Sequence, residues 1–131
     1  MTIKRIKLPK IKDRRGNLSV VEKDVIPFES KRVYYLYDVP SGARRGGHAH
    51  KEQHEFLIAL SGSFNVIIDD GKAKTSYTLN KPDEGLLIPS GYWRELEDFS
   101  SGGICLVLAS AEFLEEDYIR DYSNYLNFKS L

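Results

Sequence analysis

Short runs of β-branched and aromatic residues return along most of this chain at nearly even intervals, with turn residues standing between them. Leu18-Ser19-Val20-Val21-Glu22, Lys31 to Asp38, Phe56 to Leu60, Phe64 to Asp69, Lys74 to Leu79 and Ile104 to Ala109 each read as a strand. Ile3, Ile6, Leu8 and Ile11 mark another at the N-terminus. Asp13-Arg14-Arg15-Gly16-Asn17, Asp69-Asp70-Gly71-Lys72 and Ser100-Ser101-Gly102-Gly103 supply turns. About nine such strands predict an all-β fold, an antiparallel barrel or sandwich. At 131 residues the chain has room for one such core, so a single domain over 1–131 is expected. Only the tail departs from the period of two. Leu114, Tyr118, Ile119 and Tyr122 fall at helical spacing, which predicts one or two helical turns within Glu112 to Tyr122.

Charge narrows the function. Lys and Arg number 19 and so do Asp and Glu, so no global field favours nucleic acid or an acidic membrane surface. Anion binding must come from a local cluster. The lone cysteine, Cys105, lies in Ile104-Cys105-Leu106-Val107-Leu108, where it reads as a small buried hydrophobe, and its solitude fits a reducing compartment. The N-terminus alternates apolar and basic residues, and no run approaches the roughly 18 apolar residues that span a bilayer. A soluble cytoplasmic protein is expected.

The chemistry concentrates in residues 42–62, which hold every histidine of the chain. His48 and His50 are two apart, so in a strand both imidazoles project from one face, and Glu55 lies close enough downstream to join them. Phe56 to Leu60 then reads as a buried strand closing at Ser61-Gly62, and His54 as a surface or strand-end residue. In the strand around Tyr34, alternation puts Arg32, Tyr34 and Leu36 on one face and Val33, Tyr35 and Tyr37 on the other, without telling which lines a pocket. Tyrosines in that density fit a surface that packs rings and presents hydroxyls, as sugar or base recognition requires.

Gly42, five residues, His48-Ala49-His50, four residues, Glu55, six residues, Gly62: this spacing resembles the first signature of the cupin superfamily, small antiparallel β-barrels that commonly hold a metal. The second signature ends in P-x-G-x-x-H, and Pro89-Ser90-Gly91-Tyr92-Trp93-Arg94 supplies the frame with Arg94 in place of the last ligand. A guanidinium has no lone pair and repels a cation, so His48 and His50 read as acid/base groups rather than ligands. Within the cupins the chain is similar to the sugar-nucleotide 3,4-ketoisomerases that act on dTDP-4-keto-6-deoxyglucose in dideoxyaminosugar biosynthesis. The blocks that carry this run end to end: Arg15-Gly16, Ile26-Pro27-Phe28, Lys31 to Tyr35, Arg45 to Lys51, Trp93-Arg94-Glu95, Val107 to Ser110 and Asp117 to Tyr122.

The resemblance implies a homodimeric isomerase without metal or other cofactor, its active-site histidines falling on His48 and His50. Moving a ketone from C4 to C3 removes the C3 proton, passes through an enediol and returns a proton to C4, work for groups that titrate near neutrality. His48 is read as the base at C3 and His50 as the group that completes the relay, the reverse remaining open. Arg94, Tyr35 or Tyr37 would stabilise the oxyanion. Arg45, with Arg15 and Lys51 behind it, would hold the diphosphate, and Trp93 would stack on the thymine or line the sugar pocket. Other readings are a metal-dependent oxygenase or sugar isomerase using His48, His50 and Glu55, a sugar 3,5-epimerase, and a non-catalytic sugar-binding cupin.

Overall fold

Alternation along the strands decides which side chains meet. Leu57 and Ala59, Val66 and Ile68, and Cys105 and Val107 turn to the interior from three strands, while Phe56, Ile58 and Leu108 turn to the opposite face and are also buried. Chains buried on both faces in this way need a covering layer on each side.

The computed structural model describes residues 1–130. Its strands are β1 (Lys4–Lys7), β2 (Lys10–Asp13), β3 (Gly16–Ser19), β4 (Arg32–Leu36), β5 (Arg45–His50), β6 (Glu55–Ser61), β7 (Phe64–Asp69), β8 (Lys74–Leu79), β9 (Glu84–Ile88), β10 (Trp93–Glu97), β11 (Ile104–Ala109) and β12 (Tyr118–Ile119), followed by one helix, α1 (Tyr122–Lys129). One sheet runs β1-β9-β6-β11-β4, a second runs β12-β5-β10-β7-β8, and β2 and β3 form a separate hairpin. All of these neighbouring strands pair antiparallel. This is the all-β arrangement of packed antiparallel sheets that the strand rhythm predicts, and the jelly roll that the cupin resemblance implies.

The main core lies between the two sheets, where Leu57, Leu86 and Val107 of the first meet Phe64, Val66 and Leu96 of the second. Behind the first sheet, Leu8 and Ile26 cover Phe56, Ile58 and Leu87. Behind the second, Tyr125 of α1 and Ile119 of β12 cover Trp93 and Ala49. Among the described residues twelve strands form where about nine are expected. One reason is Pro9, which lacks an N–H and separates the N-terminal run into β1 and β2.

The helix lies downstream of the span that spacing predicts. Glu115–Asp117 makes a 3₁₀ turn, Tyr118 and Ile119 pair with His50 and Ala49 of β5, and α1 starts only after Asp121, whose carboxylate accepts from Asn124 N–H at 3.1 Å. Pairing with β5 outweighs the local helical period, since each β12 residue gains both a ladder and a buried contact. No helix among the described residues is long and apolar enough to cross a membrane.

Candidate active site

A one-residue bulge builds the floor of the site. Arg94 of β10 lies opposite His48 of β5, and Leu96 lies opposite Arg45, so β5 carries one extra residue between those pairs. Gly46 absorbs it at φ +70°, a conformation that L side chains seldom adopt, and its carbonyl accepts from Arg94 Nη1 at 3.3 Å. The period of two then turns His48 and His50 inward and Ala49 outward. The two imidazole centroids are 4.8 Å apart, edge to face at 83°.

Glu55 opens β6 in the facing sheet and is 1% exposed. Arg94 donates to its Oε1 from Nε at 3.0 Å, and Nη2 stands 2.9 Å from the same oxygen. Tyr34 donates its hydroxyl to Oε2 at 2.6 Å and accepts from Arg94 Nη2 at 2.9 Å. His50 Nε2 is 3.6 Å from Oε2 and His48 Nε2 is 4.0 Å from Oε1. Neither Nε2 has a hydrogen-bond partner among the described residues. The other nitrogen of His50, Nδ1, lies 3.0 Å from Asp117 Oδ2.

These contacts set the charges. Burial pushes Glu55 up, but Arg94, followed by His50 and His48, outweighs it and holds the carboxyl well below the usual carboxylate range. Burial opposes the charge of Arg94, yet Glu55 beside it keeps the guanidinium protonated. Burial, and next the charge of Arg94, drive His48 down to about 2, so its imidazole is neutral. Tyr34 is raised, chiefly by burial. Ligand atoms of His48, His50 and Glu55 all lie within 4.8 Å of one another, a spacing open to a metal ion. Arg94 nevertheless sets a permanent positive charge directly against the carboxylate that such an ion would need.

A cavity of about 340 Å³ opens above this floor, lined by Arg32, Tyr34, Arg45, His48, Arg94, Phe113, Tyr118 and Arg120 among others. Of the residues expected at the site, the fold brings Arg45, His48 and Arg94 to this cavity and sets His50 against His48. Five lie elsewhere. Tyr35 and Tyr37 are exposed on the opposite face of β4 from Tyr34, beside Asp38 and Gly102, because alternation admits only one face to the interior. Trp93 faces away from Arg94 for the same reason, packs on Tyr125 and Tyr122, and donates from Nε1 to Glu95 at 2.9 Å. Lys51 is exposed beyond the end of β5, and Arg15 sits at the tip of the β2–β3 hairpin paired with Asp13 at 2.9 Å. Half-buried His54 accepts from Ser90 N–H at 3.1 Å at the start of a strand.

Arg32, Tyr34, Phe113, Tyr118 and Arg120 are cavity residues that the sequence reading does not single out. Arg32 donates from Nη2 to Tyr118 Oη at 3.0 Å, and Arg120 lies 4.2 Å over the Tyr118 ring. For Arg32 and Tyr34 the signal was the shared face with Leu36, lacking only a neighbour to say that this face is the inner one.

Comparison with known proteins agrees with this geometry. The family described as "FdtA: WxcM-like, C-terminal" matches residues 1–130. A TDP-4-oxo-6-deoxy-alpha-D-glucose-3,4-oxoisomerase from Aneurinibacillus thermoaerophilus is 43% identical over 129 residues, which cover 98% of this chain and 93% of that protein. The structure of a 3,4-ketoisomerase from Helicobacter canadensis superposes with a TM-score of 0.96 at 42% identity, covering 99% of this chain and 98% of the other. A mutant 3,4-ketoisomerase from Thermoanaerobacterium thermosaccharolyticum, solved in complex with TDP-4-keto-6-deoxyglucose, gives a TM-score of 0.96 at 38% identity over 98% and 94% of the two chains. A dTDP-4-dehydrorhamnose 3,5-epimerase from Bacillus anthracis shares the fold alone, at 17% identity and a TM-score of 0.78 over 88% and 76%.

Proposed function

The chain belongs to the FdtA family, and from that membership we propose that it is a TDP-sugar 3,4-ketoisomerase, which moves the keto group of dTDP-4-keto-6-deoxyglucose from C4 to C3. One observation carries the reading: two buried imidazoles stand edge to face at the base of a cavity whose wall is rich in guanidinium groups. A substrate with a diphosphate and an acidic carbon beside a ketone needs both.

His48, neutral in the free protein and lining the cavity, takes the proton from C3 as the C3–H bond breaks and its electrons form the C3–C4 double bond of the enediolate. Burial and the Arg94 charge make His48 a weaker base than the near-neutral group this chemistry favours, and Glu55, 4.0 Å from Nε2, together with the negative charge that develops on the enediolate, stabilises the imidazolium so formed. The proton of the C3 hydroxyl passes to O4, and transfer of the abstracted proton to C4, directly or through His50, closes the reaction as the O3 electrons form the ketone at C3. Negative charge on O4 is met by Arg94 and by the Tyr118 hydroxyl, which accepts from Arg32 and keeps its own proton free to donate. Tyr34 already gives its proton to Glu55 and serves to hold that carboxylate. At the cavity mouth, Arg45 takes the diphosphate, while its neighbour Arg44 is occupied by Glu95 and Glu97 at 3.1 and 3.4 Å. A soluble nucleotide-linked sugar as substrate supports a cytoplasmic location for the reaction.

A homodimer completes the reading. Every residue of β2 and β3 is exposed, including Ile11 at 63% and Leu18 at 56%, and a lone two-stranded hairpin is marginal in water. An apolar groove of about 770 Å³ that includes Val33, Ile58 and Leu106 adjoins it on the back of the first sheet. A second copy covers both, and static light scattering reads the mass directly.

The deciding experiment incubates the protein with dTDP-4-keto-6-deoxyglucose, an amino donor and a 3-aminotransferase, then identifies the product by NMR. A 3-amino-3,6-dideoxy sugar is expected, its C4 configuration read from the couplings. Unchanged 4-keto substrate, or solvent deuterium at C3 and C5 without migration of the carbonyl, would overturn the reading.

A further inference from the structure

His50 does not line the cavity wall directly; its behaviour depends on which nitrogen carries the proton, and one buried side chain decides that. Asp117 is 6% exposed, and its Oδ2 lies 3.0 Å from His50 Nδ1. The same Oδ2 accepts from Gln53 N–H at 3.1 Å, and Oδ1 accepts from Glu52 N–H at 2.8 Å. Both carboxylate oxygens are thus engaged as acceptors by backbone donors, so the nitrogen facing them must be the donor. We propose that Asp117 is a positioning residue that holds His50 as the Nδ1–H tautomer: Nδ1 is within hydrogen-bond distance of its carboxylate, whereas Nε2, 3.6 Å from Glu55 Oε2, is beyond it and keeps its lone pair on the side shared with His48. The ring has little freedom to do otherwise. Lys51 N–H donates to Asp117 O at 3.0 Å, Tyr118 pairs with His50 across β5 and β12, and the Tyr118 ring packs 4.3 Å from the His50 ring.

The consequence for the reaction rests on the ketoisomerase reading above. A lone pair on Nε2 lets His50 take a proton on the side where His48 works, and the proton on Nδ1 stays with Asp117, so the relay has one direction. The opposite tautomer would aim an N–H at that position and could only donate. A merely structural Asp117, capping the turn at Glu52 and Gln53, would leave the tautomer free.

The test is ¹⁵N NMR of histidine-labelled protein at about pH 8, where a free imidazole is neutral, with the His50 signals assigned by comparison with His48→Asn and His54→Asn. The expected result is a protonated-type resonance for Nδ1 and a lone-pair-type resonance for Nε2 of His50. The reverse pattern, or a rapidly averaged pair, overturns the proposal in the wild-type protein without need of a further variant. In Asp117→Asn a single amide oxygen cannot serve Glu52 N–H, Gln53 N–H and His50 Nδ1–H together, so the preference for the Nδ1–H tautomer should weaken and the two His50 resonances should move toward each other. There kcat should fall on the order of 10²- to 10⁴-fold while KM changes by less than about threefold, the pattern of a wrong tautomer rather than of lost binding. A weakened tautomer preference with unchanged kcat would remove the catalytic part of the proposal. The NMR needs no substrate, so an Nδ1–H tautomer in a protein that does not isomerise the sugar would count against the ketoisomerase reading alone.

Discussion

Arg94 Nη2 stands 2.9 Å from Glu55 Oε1, and each side chain is 2% exposed. A divalent cation bound by His48 and His50 would have to share that carboxylate with a guanidinium that cannot lose its proton. The fixed charge therefore takes the place of the ion. Protein purified without chelator should carry no stoichiometric iron, manganese or zinc, and dialysis against EDTA should leave the rate of isomerisation unchanged. Metal at one equivalent together with loss of rate on its removal would refute this account.

The same pair makes the fold vulnerable to half-measures. Removing one member leaves the other charge buried without its partner, which costs about 3–5 kcal/mol, whereas removing both at similar volume costs less. Arg94→Leu and Glu55→Leu should each lower unfolding stability by that amount in urea titrations, and the double variant should recover part of the loss. Additive losses in the double variant would show that the two charges do not depend on each other.

His48→Asn and His50→Asn keep comparable volume and remove the proton-carrying imidazole. Both should fold, with circular dichroism like that of the parent, and both should lose isomerisation by on the order of 10²- to 10⁴-fold, followed by NMR of the carbonyl position. Wild-type rates in both would defeat the mechanism and favour a sugar-binding role.

Acid should weaken the protein earlier than its carboxylates alone require. Burial, and next Arg94, hold folded His48 at about 2 against an ordinary 6.5. Between those values the unfolded chain binds a proton at this residue and the folded chain does not, so stability present above 6.5 is lost as the pH falls, by about 1.4 kcal/mol per pH unit. Glu55, held low when folded, adds a slope of the same sign once the pH enters the usual carboxylate range. Urea titrations between about pH 6 and pH 5 should show the His48 slope, and His48→Asn should flatten it. An unchanged slope in that variant would assign the loss to another group.

Strand rhythm and the spacing of His48, His50 and Glu55 made the layers and the heart of the site legible in the sequence, because both follow from a period of two. What stayed hidden depends on partners far along the chain. Tyr34 and Tyr35 are equally good pocket residues until β11 shows which face of β4 is inner. Asp117 and Tyr118 sit in a stretch whose local period is helical, and only their pairing with β5 brings them to the histidines. Trp93 and Arg94 are adjacent in sequence, and that adjacency guarantees that just one of them reaches the cavity.

Two neighbouring glycines separate space from sequence. Gly46 has φ +70°, and a Cβ placed on it would run into Arg94 Nη1, the end of a side chain whose other nitrogens are held by Glu55 and Tyr34. Gly47 is not in the left-handed region, and its nearest contacts to an added Cβ are Trp93 at 3.6 Å and Glu95 at 3.8 Å, ordinary van der Waals distances. Gly46→Ala therefore carries backbone strain of about 1 kcal/mol and also pushes the guanidinium off Glu55. Since a displacement of about 1 Å at a reacting centre can cost on the order of 10²-fold in rate, Gly46→Ala should lose activity by that order while remaining folded. Gly47→Ala should retain activity within about threefold, because it strains neither the backbone nor Arg94. Equal rates in the two variants would mean that the position of Arg94 does not govern the chemistry above it.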